Sequence, residues 1–458
     1  MIIFPLIYLS SFFFTVKEFL KGNKETIFLF LIFGLSIYTT SISVIVKLGL
    51  NNYVGFFQSF KEIIIISLLG WCLYTYKEII KLERVDYLIL IFFLYTTTYA
   101  LLPIGEQSLL NRLFAFKSVS FFAIIYFAGR FLNLDNLFLN KYFFYVLLLA
   151  ICAAIVVVYE FFTDQHLQTK TGYAEFNYYL FNFEPTGRYG LSWTFETTTG
   201  FKRFASFFSN PLEHAAATLI SIAVLISFYT DNDYKIKLDS FGVIALIATL
   251  TSILLAVSRS SFASYFIIIY AYGWISNKKY IPKTTHLLII IAAVYLLYST
   301  FKNLDENNNL LELIIGTLNF SDASSMLHVI EWVQGITAIY QNPLGLGLGS
   351  SGSLAGSLGE NIGGENQFII IGVQAGIIAL IIYIAIYITI IKTAKYWYYR
   401  LDGKEKKLCL ALLLIKIGFI VPLLTSEIET STYITYMIWF LTGIFINIVA
   451  KRKTELYG

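Results

Sequence analysis

Charge is scarce in this sequence. Only 14% of its 458 residues are Asp, Glu, Lys or Arg, whereas 57% are hydrophobic and mean hydropathy is +0.70. A water-soluble globule carries about 25% charged residues, because its core needs a solvated surface. Most of this chain's surface must therefore meet something other than water. Cysteine is scarcer still: Cys72, Cys152 and Cys409 lie far apart, each in an apolar stretch, which excludes a disulfide framework and a Cys-x-x-Cys metal knuckle. The four histidines (His166, His214, His286, His328) never fall at helical metal-ligand spacing. These shortages argue against a metalloprotein, a nucleic-acid binder and a secreted enzyme. No cofactor or metal is expected.

Long apolar runs dominate the rest of the composition. They are continuous over roughly 16–25 residues rather than alternating over ten, so they read as membrane helices and not barrel strands. Spans are expected near 2–16, 26–46, 63–80, 86–103, 115–130, 142–162, 208–229, 240–257, 260–276, 286–301, 367–391, 408–424 and 433–450. The first is short and contains Pro5, yet lacks the basic start and cleavage site of a signal peptide, so it counts as a span. The expected fold is an all-α polytopic membrane protein, one membrane domain over residues 1–458 with 12–13 transmembrane helices.

Orientation follows from the 33 Lys and Arg. The short segments 17–25, 77–86, 130–141, 230–239, 276–286, 392–407 and 451–458 hold 22 of them, the opposite side holds 10, and Lys416 falls within a span. The richer side is cytoplasmic by the positive-inside rule, and the C-terminus with it. Two long loops, 163–203 and 302–366, then lie outside the cell, and loops of such length usually have a task. In the first, Tyr189, Leu191, Trp193 and Phe195 alternate with polar or small residues after Glu184-Pro185-Thr186-Gly187, which predicts a β-hairpin with an aromatic face. In the second, Val329, Val333, Ile336 and Tyr340 mark one face of an amphipathic helix, with His328, Glu331, Gln334 and Gln341 opposite. Pro343 and the glycines after it end that helix.

The candidate chemistry sits at the outer boundary. Arg203 opens Arg203-Phe-Ala-Ser-Phe-Phe-Ser-Asn-Pro211, and Arg259 sits in Ser258-Arg259-Ser260-Ser261 between two spans. Each could simply snorkel to lipid headgroups. The Arg259 hairpin is too short to reach into water, however, and Arg112 and Lys117 share that side, so a cationic cluster for an anionic group is the functional reading. Arg suits phosphate through its planar donor fork. Glu365-Asn366-Gln367 begins a span; the carboxylate either complements the helix dipole or serves as a general base. Lys416 lies mid-span and needs a partner or a polar cavity. Glu427 and Glu429 read as a solvated rim. Gly347-Leu-Gly-Ser-Ser-Gly352 matches GxGxxG, but without a βαβ unit the dinucleotide reading fails. What remains is a flexible loop, or backbone N–H groups offered to a phosphate.

These features together resemble the O-antigen ligase and polymerase superfamily of bacterial envelope glycosyltransferases. Its ligases close the late outer loop with His, then Asn, Ser or Gln, nine residues, Gly, two residues, and Gly, Thr or Tyr. Here Glu365-Asn366 is followed by nine residues, Gly376, two more and Ala379. Trp332 with Asn342-Pro343-Leu344-Gly345-Leu346-Gly347, Arg203 with Asn210-Pro211, and Ser258-Arg259-Ser260 are similar to further family motifs across residues 200–380. Ser206 stands where the family usually has Gly, and His328 where it often has Arg. The resemblance implies a GT-C-like fold in the bacterial cytoplasmic membrane. It also implies a polymerase acting on polyprenyl-diphosphate-linked glycan donor and acceptor, in the setting of O-antigen, capsule or exopolysaccharide, with a chain-length regulator as a possible partner. Arg203 and Arg259 would stabilise the diphosphate, and Glu365 would act as base. Arg112, Lys117, His328, Asn366 and Gln367 would contact substrate. Glu in place of the ligase His favours a polymerase. A ligase or oligosaccharyltransferase and a flippase are the competing classes. With no second carboxylate placed by sequence, inversion is the expected stereochemistry.

Overall fold

The computed structural model describes residues 1–75, 81–132, 138–197, 200–231, 233–277, 283–284, 286, 323–358 and 361–457. The described residues form helices and turns and no β-strand. Among them, nine helices are long and apolar enough to cross a membrane, by length and composition, and a tenth span would be a pair bent by 61°, Lys24–Gly34 with Tyr38–Lys47. The chain is a membrane protein.

The first helices are α1 (Ile3–Leu20), α2 (Tyr38–Lys47), α3 (Val54–Thr75), α4 (Arg84–Leu101), α5 (Leu109–Arg130), α6 (Leu139–Thr163), α7 (Leu167–Thr171) and α8 (Tyr173–Phe181). They continue with α9 (Pro211–Tyr229), α10 (Ser240–Ala256), α11 (Arg259–Ile275), α12 (Ala323–Gln341), α13 (Ser353–Leu358), α14 (Gln367–Tyr398), α15 (Gly403–Gly418), α16 (Ile420–Thr425) and α17 (Thr432–Tyr457). Starts are set by local chemistry. Glu83 and Asp86 form a reciprocal capping box on α4, Ser108 caps α5, and Asn210 caps α9 with Pro211 in the first helical position. Helix α9 is buried along nearly its whole length, between α6, α10, α11 and α15, and forms the centre of the bundle.

Several expectations change. α10 and α11 have 17 residues each, about 25 Å of helix against a hydrocarbon core of about 30 Å. The expected span 286–301 lies almost wholly outside the described residues. Lys61 and Glu62, assigned by sequence to a loop, lie inside α3. The β-hairpin is not formed: α8 runs to Phe181, Asn182 leaves it at φ +54, and Trp193–Phe195 is one 3-10 turn. The alternation has no neighbouring strand to pair with among the described residues. An isolated bridge, Glu196 to Lys202, is what survives of it.

Helix α12 is amphipathic but faces the opposite way to a soluble helix. Val329, Val333, Ile336 and Tyr340 are exposed, while Gly335, Ala338 and Ile339 are buried against Ile369 and Val373 of α14. Gly335 lets the α12 backbone approach Gly363 in the turn before α14, where a Cβ on either residue would crowd the other. The half-buried His328 and Glu331 thereby turn toward the protein.

Candidate functional site

The segment carrying Arg203 has no regular structure and is held by side chains instead. Buried Glu160 accepts the Ser206 N–H at 2.8 Å and the Leu167 N–H at 2.7 Å. The Gln168 amide donates to the carbonyls of Ser206 (2.8 Å) and Phe208 (2.9 Å), and the His214 ring meets the Phe204 carbonyl at 3.1 Å. Ser206 sits at φ +53, the left-handed region that glycine adopts at least cost. Its hydroxyl compensates by donating to the Ala153 carbonyl at 2.9 Å. An irregular segment pinned at so many points is a rigid mount for Arg203.

The second arginine is mounted on the first. The Phe204 N–H donates to the Leu255 carbonyl at 3.1 Å, tying the residue after Arg203 to the last turn of α10. Val257 then turns the chain at φ +46, a conformation that costs a β-branched residue about 1–3 kcal/mol, and Arg259 begins α11 two residues later. Burial and the nearby Arg259 charge draw the Arg203 guanidinium down to about 10, while Glu365 pulls in the opposite direction. It stays cationic at neutral pH. Its Nε is buried without a partner among the described residues.

Glu365 completes the group. It follows Gly363-Gly364, whose left-handed turn lies directly on α12; a side chain on Gly364 would run into the Glu331 carboxylate. Although Glu365 is open to solvent on one side, surrounding protein desolvates it and raises its carboxyl pKa above the ordinary value. His328 and Arg203 oppose that shift and Glu331 reinforces it. Arg203, Arg259, His328, Glu331 and Glu365 thus form one electrostatic neighbourhood at one end of the bundle, although they come from four separate segments.

Other sequence assignments fare differently. The Arg112 guanidinium is buried and donates to the Leu102 carbonyl, and Lys117 pairs with Glu62 at 2.6 Å. Neither is brought to the arginine pair by any bond among the described residues. Asn366 is the N-cap of α14, its side-chain oxygen accepting from Phe368 (3.0 Å) and Ile369 (3.2 Å), and Gln367 is buried with its Oε1 unpartnered among the described residues. The glycine-rich turn spends several of its backbone N–H groups on the protein itself. Leu346 and Gly347 donate to the carbonyls of Val373 and Gln374, and Gly349 donates to the Gln374 side chain. Glu427 and Glu429 are not a solvated rim. Glu429 is buried, accepting from Tyr383, Tyr387 and, at 3.3 Å, Trp439, with Lys416 at 3.6 Å. The partner expected for Lys416 is therefore Glu429. Glu427, half-buried, binds the Ser353 N–H and lies close enough for the Glu365 charge to act on it. Sequence reasoning missed Glu331 and Glu427 as members of this neighbourhood. The His328/Glu331 spacing of three residues was the one available signal. With further carboxylates beside Glu365, the sequence argument for inversion loses its basis.

Compared with protein-family models and with curated proteins, the chain matches none. Its residues and their arrangement are therefore the guide to its function.

Proposed function

We propose that this chain is a GT-C-like glycosyltransferase of the bacterial cytoplasmic membrane. It would polymerise oligosaccharide repeat units carried on polyprenyl diphosphate, at the extracytoplasmic face where the loops 163–203 and 302–366 would lie. The observation that supports this reading most strongly is the mounting of Arg203 on the Arg259 hairpin through the Phe204–Leu255 bond, with the Glu365 charge acting on Arg203.

The chemistry follows from charge. Breaking the anomeric C–O bond leaves negative charge on the departing diphosphate, and two arginines held by rigid segments would stabilise that charge without reorganising. A diphosphate is already a good leaving group and needs little proton donation. The attacking sugar hydroxyl does need to lose a proton, and Glu365 would take it. Desolvation raises its basicity, while His328 and Arg203 pull in the opposite direction. The acceptor proton passes to Glu365 as the new glycosidic bond forms and the carbon–oxygen bond to the diphosphate breaks.

The test uses purified protein and a lipid-linked repeat unit, with glycan ladders as the readout. Glu365→Gln is expected to lower turnover by about 10²–10⁴-fold. Arg203→Ala is expected to lower it by about 10²–10³-fold. Parental ladders from both variants would overturn the assignment. A single transfer product without a ladder would replace the polymerase by a ligase.

A further inference from the structure

Glu427 reaches the candidate site from the far end of the sequence, and its surroundings give it a definite task. Its two carboxylate oxygens lie 3.0 Å and 3.0 Å from the Ser353 N–H. It also sits against the Gly352 backbone, where any side chain on residue 352 would collide with it. The Gly352 N–H donates to the Asn361 side-chain oxygen at 2.9 Å, and the Ser351 hydroxyl donates to the Ile362 carbonyl at 2.5 Å. Residues 351–353 are thus cinched to residues 361–362, three positions before Glu365. Gly363 and Gly364 rest on α12 through their backbone, and these grips hold the other side of the loop.

Glu427 is itself held from below. It enters the turn Ile428–Thr430, in which Glu429 binds Tyr383, Tyr387, Trp439 and Lys416 deep in the bundle. Lys416 is fully buried, with its ammonium 4.1 Å from the Tyr387 ring centre and 3.8 Å from that of Trp439. An unbroken chain of contacts therefore runs from the buried ion pair through the 427–430 turn to the loop that ends in Glu365.

We propose that Glu427 is the positioning residue of this site: it clamps the Gly352–Ser353 peptide to the α16–α17 turn and so fixes where Glu365 stands. The catalytic part of this inference rests on the function proposed above, but the clamp does not. Losing the clamp in Glu427→Ala removes the carboxyl that accepts the Ser353 N–H, so amide hydrogen exchange over residues 350–358 should quicken by about tenfold. Exchange in α9 should stay as it was. Glu427→Gln keeps an acceptor for Ser353 and should restore parental protection. In the ladder assay Glu427→Ala should lose about tenfold in kcat with KM little changed, the mark of a group that misplaces the base rather than the substrate. Glu427→Gln should recover most of that loss. Unchanged exchange over 350–358 in Glu427→Ala, or acceleration spread evenly through the bundle, overturns the clamp whatever the activity. Local acceleration with parental kcat overturns the positioning role and leaves the base assignment to the Glu365 variants. A parental Glu365→Gln ladder beside a localised exchange effect would sink the proposed reaction alone.

Discussion

Single residues carry unusual conformations here for reasons that can be read from their bonds. Ser206 and Val257 both adopt positive φ, and they lie within three residues of Arg203 and Arg259 respectively. The strain is outweighed where the surroundings over-determine the backbone, as Glu160 and Gln168 do for Ser206. Glu427 makes a pH-dependent contribution. Burial, assisted by the Glu365 charge, lifts its carboxyl to about 7 from an ordinary 4.5, although its bonds with Ser353 pull the other way. The folded chain therefore holds this proton more tightly than the unfolded chain does. Its share of stability is fully present below about pH 4.5, declines as the pH rises toward about 7, and is level beyond. Glu427→Gln should flatten that decline, so that its melting temperature exceeds the parent's at about pH 8 and equals it at about pH 4. Thermal melts in detergent across that range check both the sign and the window.

At the scale of elements, the joint between the glycine-rich turn and α14 is the most constrained feature. Helix α14 is interrupted at Gly376, which takes φ +78 and ψ 177. The freed backbone is used at once: Ile377 donates to the Pro343 carbonyl at 2.9 Å, and the turn 345–347 bonds back to Val373 and Gln374. A Cβ at position 376 would stand 2.5 Å from the Pro343 oxygen and 2.6 Å from the Leu344 carbonyl carbon. Gly376→Ala should therefore destabilise the protein by about 1–3 kcal/mol from backbone strain alone, before any clash. A melting temperature indistinguishable from the parent's would show that the kink is not required. The motif glycine was visible in the sequence; its job was not, because the partner carbonyls lie more than thirty residues upstream.

Across the whole molecule, buried polar networks tie distant helices together. Asp86 of α4 pairs with Arg130 of α5 at 3.2 Å, while Lys416 of α15 pairs with Glu429 before α17. Removing one member of such a pair leaves a charge without its counter-ion in a low-dielectric interior. Lys416→Met should cost about 3–5 kcal/mol, and the double variant Lys416→Met/Glu429→Gln clearly less. Denaturation of the two singles and the double would decide it; a loss in the double equal to the sum of the two single losses would mean the pair is not coupled. The energy recovered in the double should be a minority of the loss, because the Tyr383 and Tyr387 hydroxyls also depend on the carboxylate.

The sequence by itself determined that the chain lives in lipid and folds as helices, since continuous apolar runs leave no other way to satisfy the backbone. It also marked Arg203, Arg259, Glu365 and Gly376, because a charge at an apolar boundary and a glycine at fixed spacing are local signals. Tertiary structure alone decided which carboxylates and cations meet. Glu331 and Glu427 looked like ordinary surface groups, Arg112 and Lys117 like substrate ligands, and the aromatic alternation at 189–195 like a strand. Each of those outcomes depends on what approaches from elsewhere in the chain: the Ser353 N–H for Glu427, the Leu102 carbonyl for Arg112, Glu62 for Lys117, and, among the described residues, only an isolated bridge where the alternation needed a partner strand. Hydrophobicity is a property of a segment, whereas electrostatic partnership belongs to a pair, and no pattern along one segment encodes it.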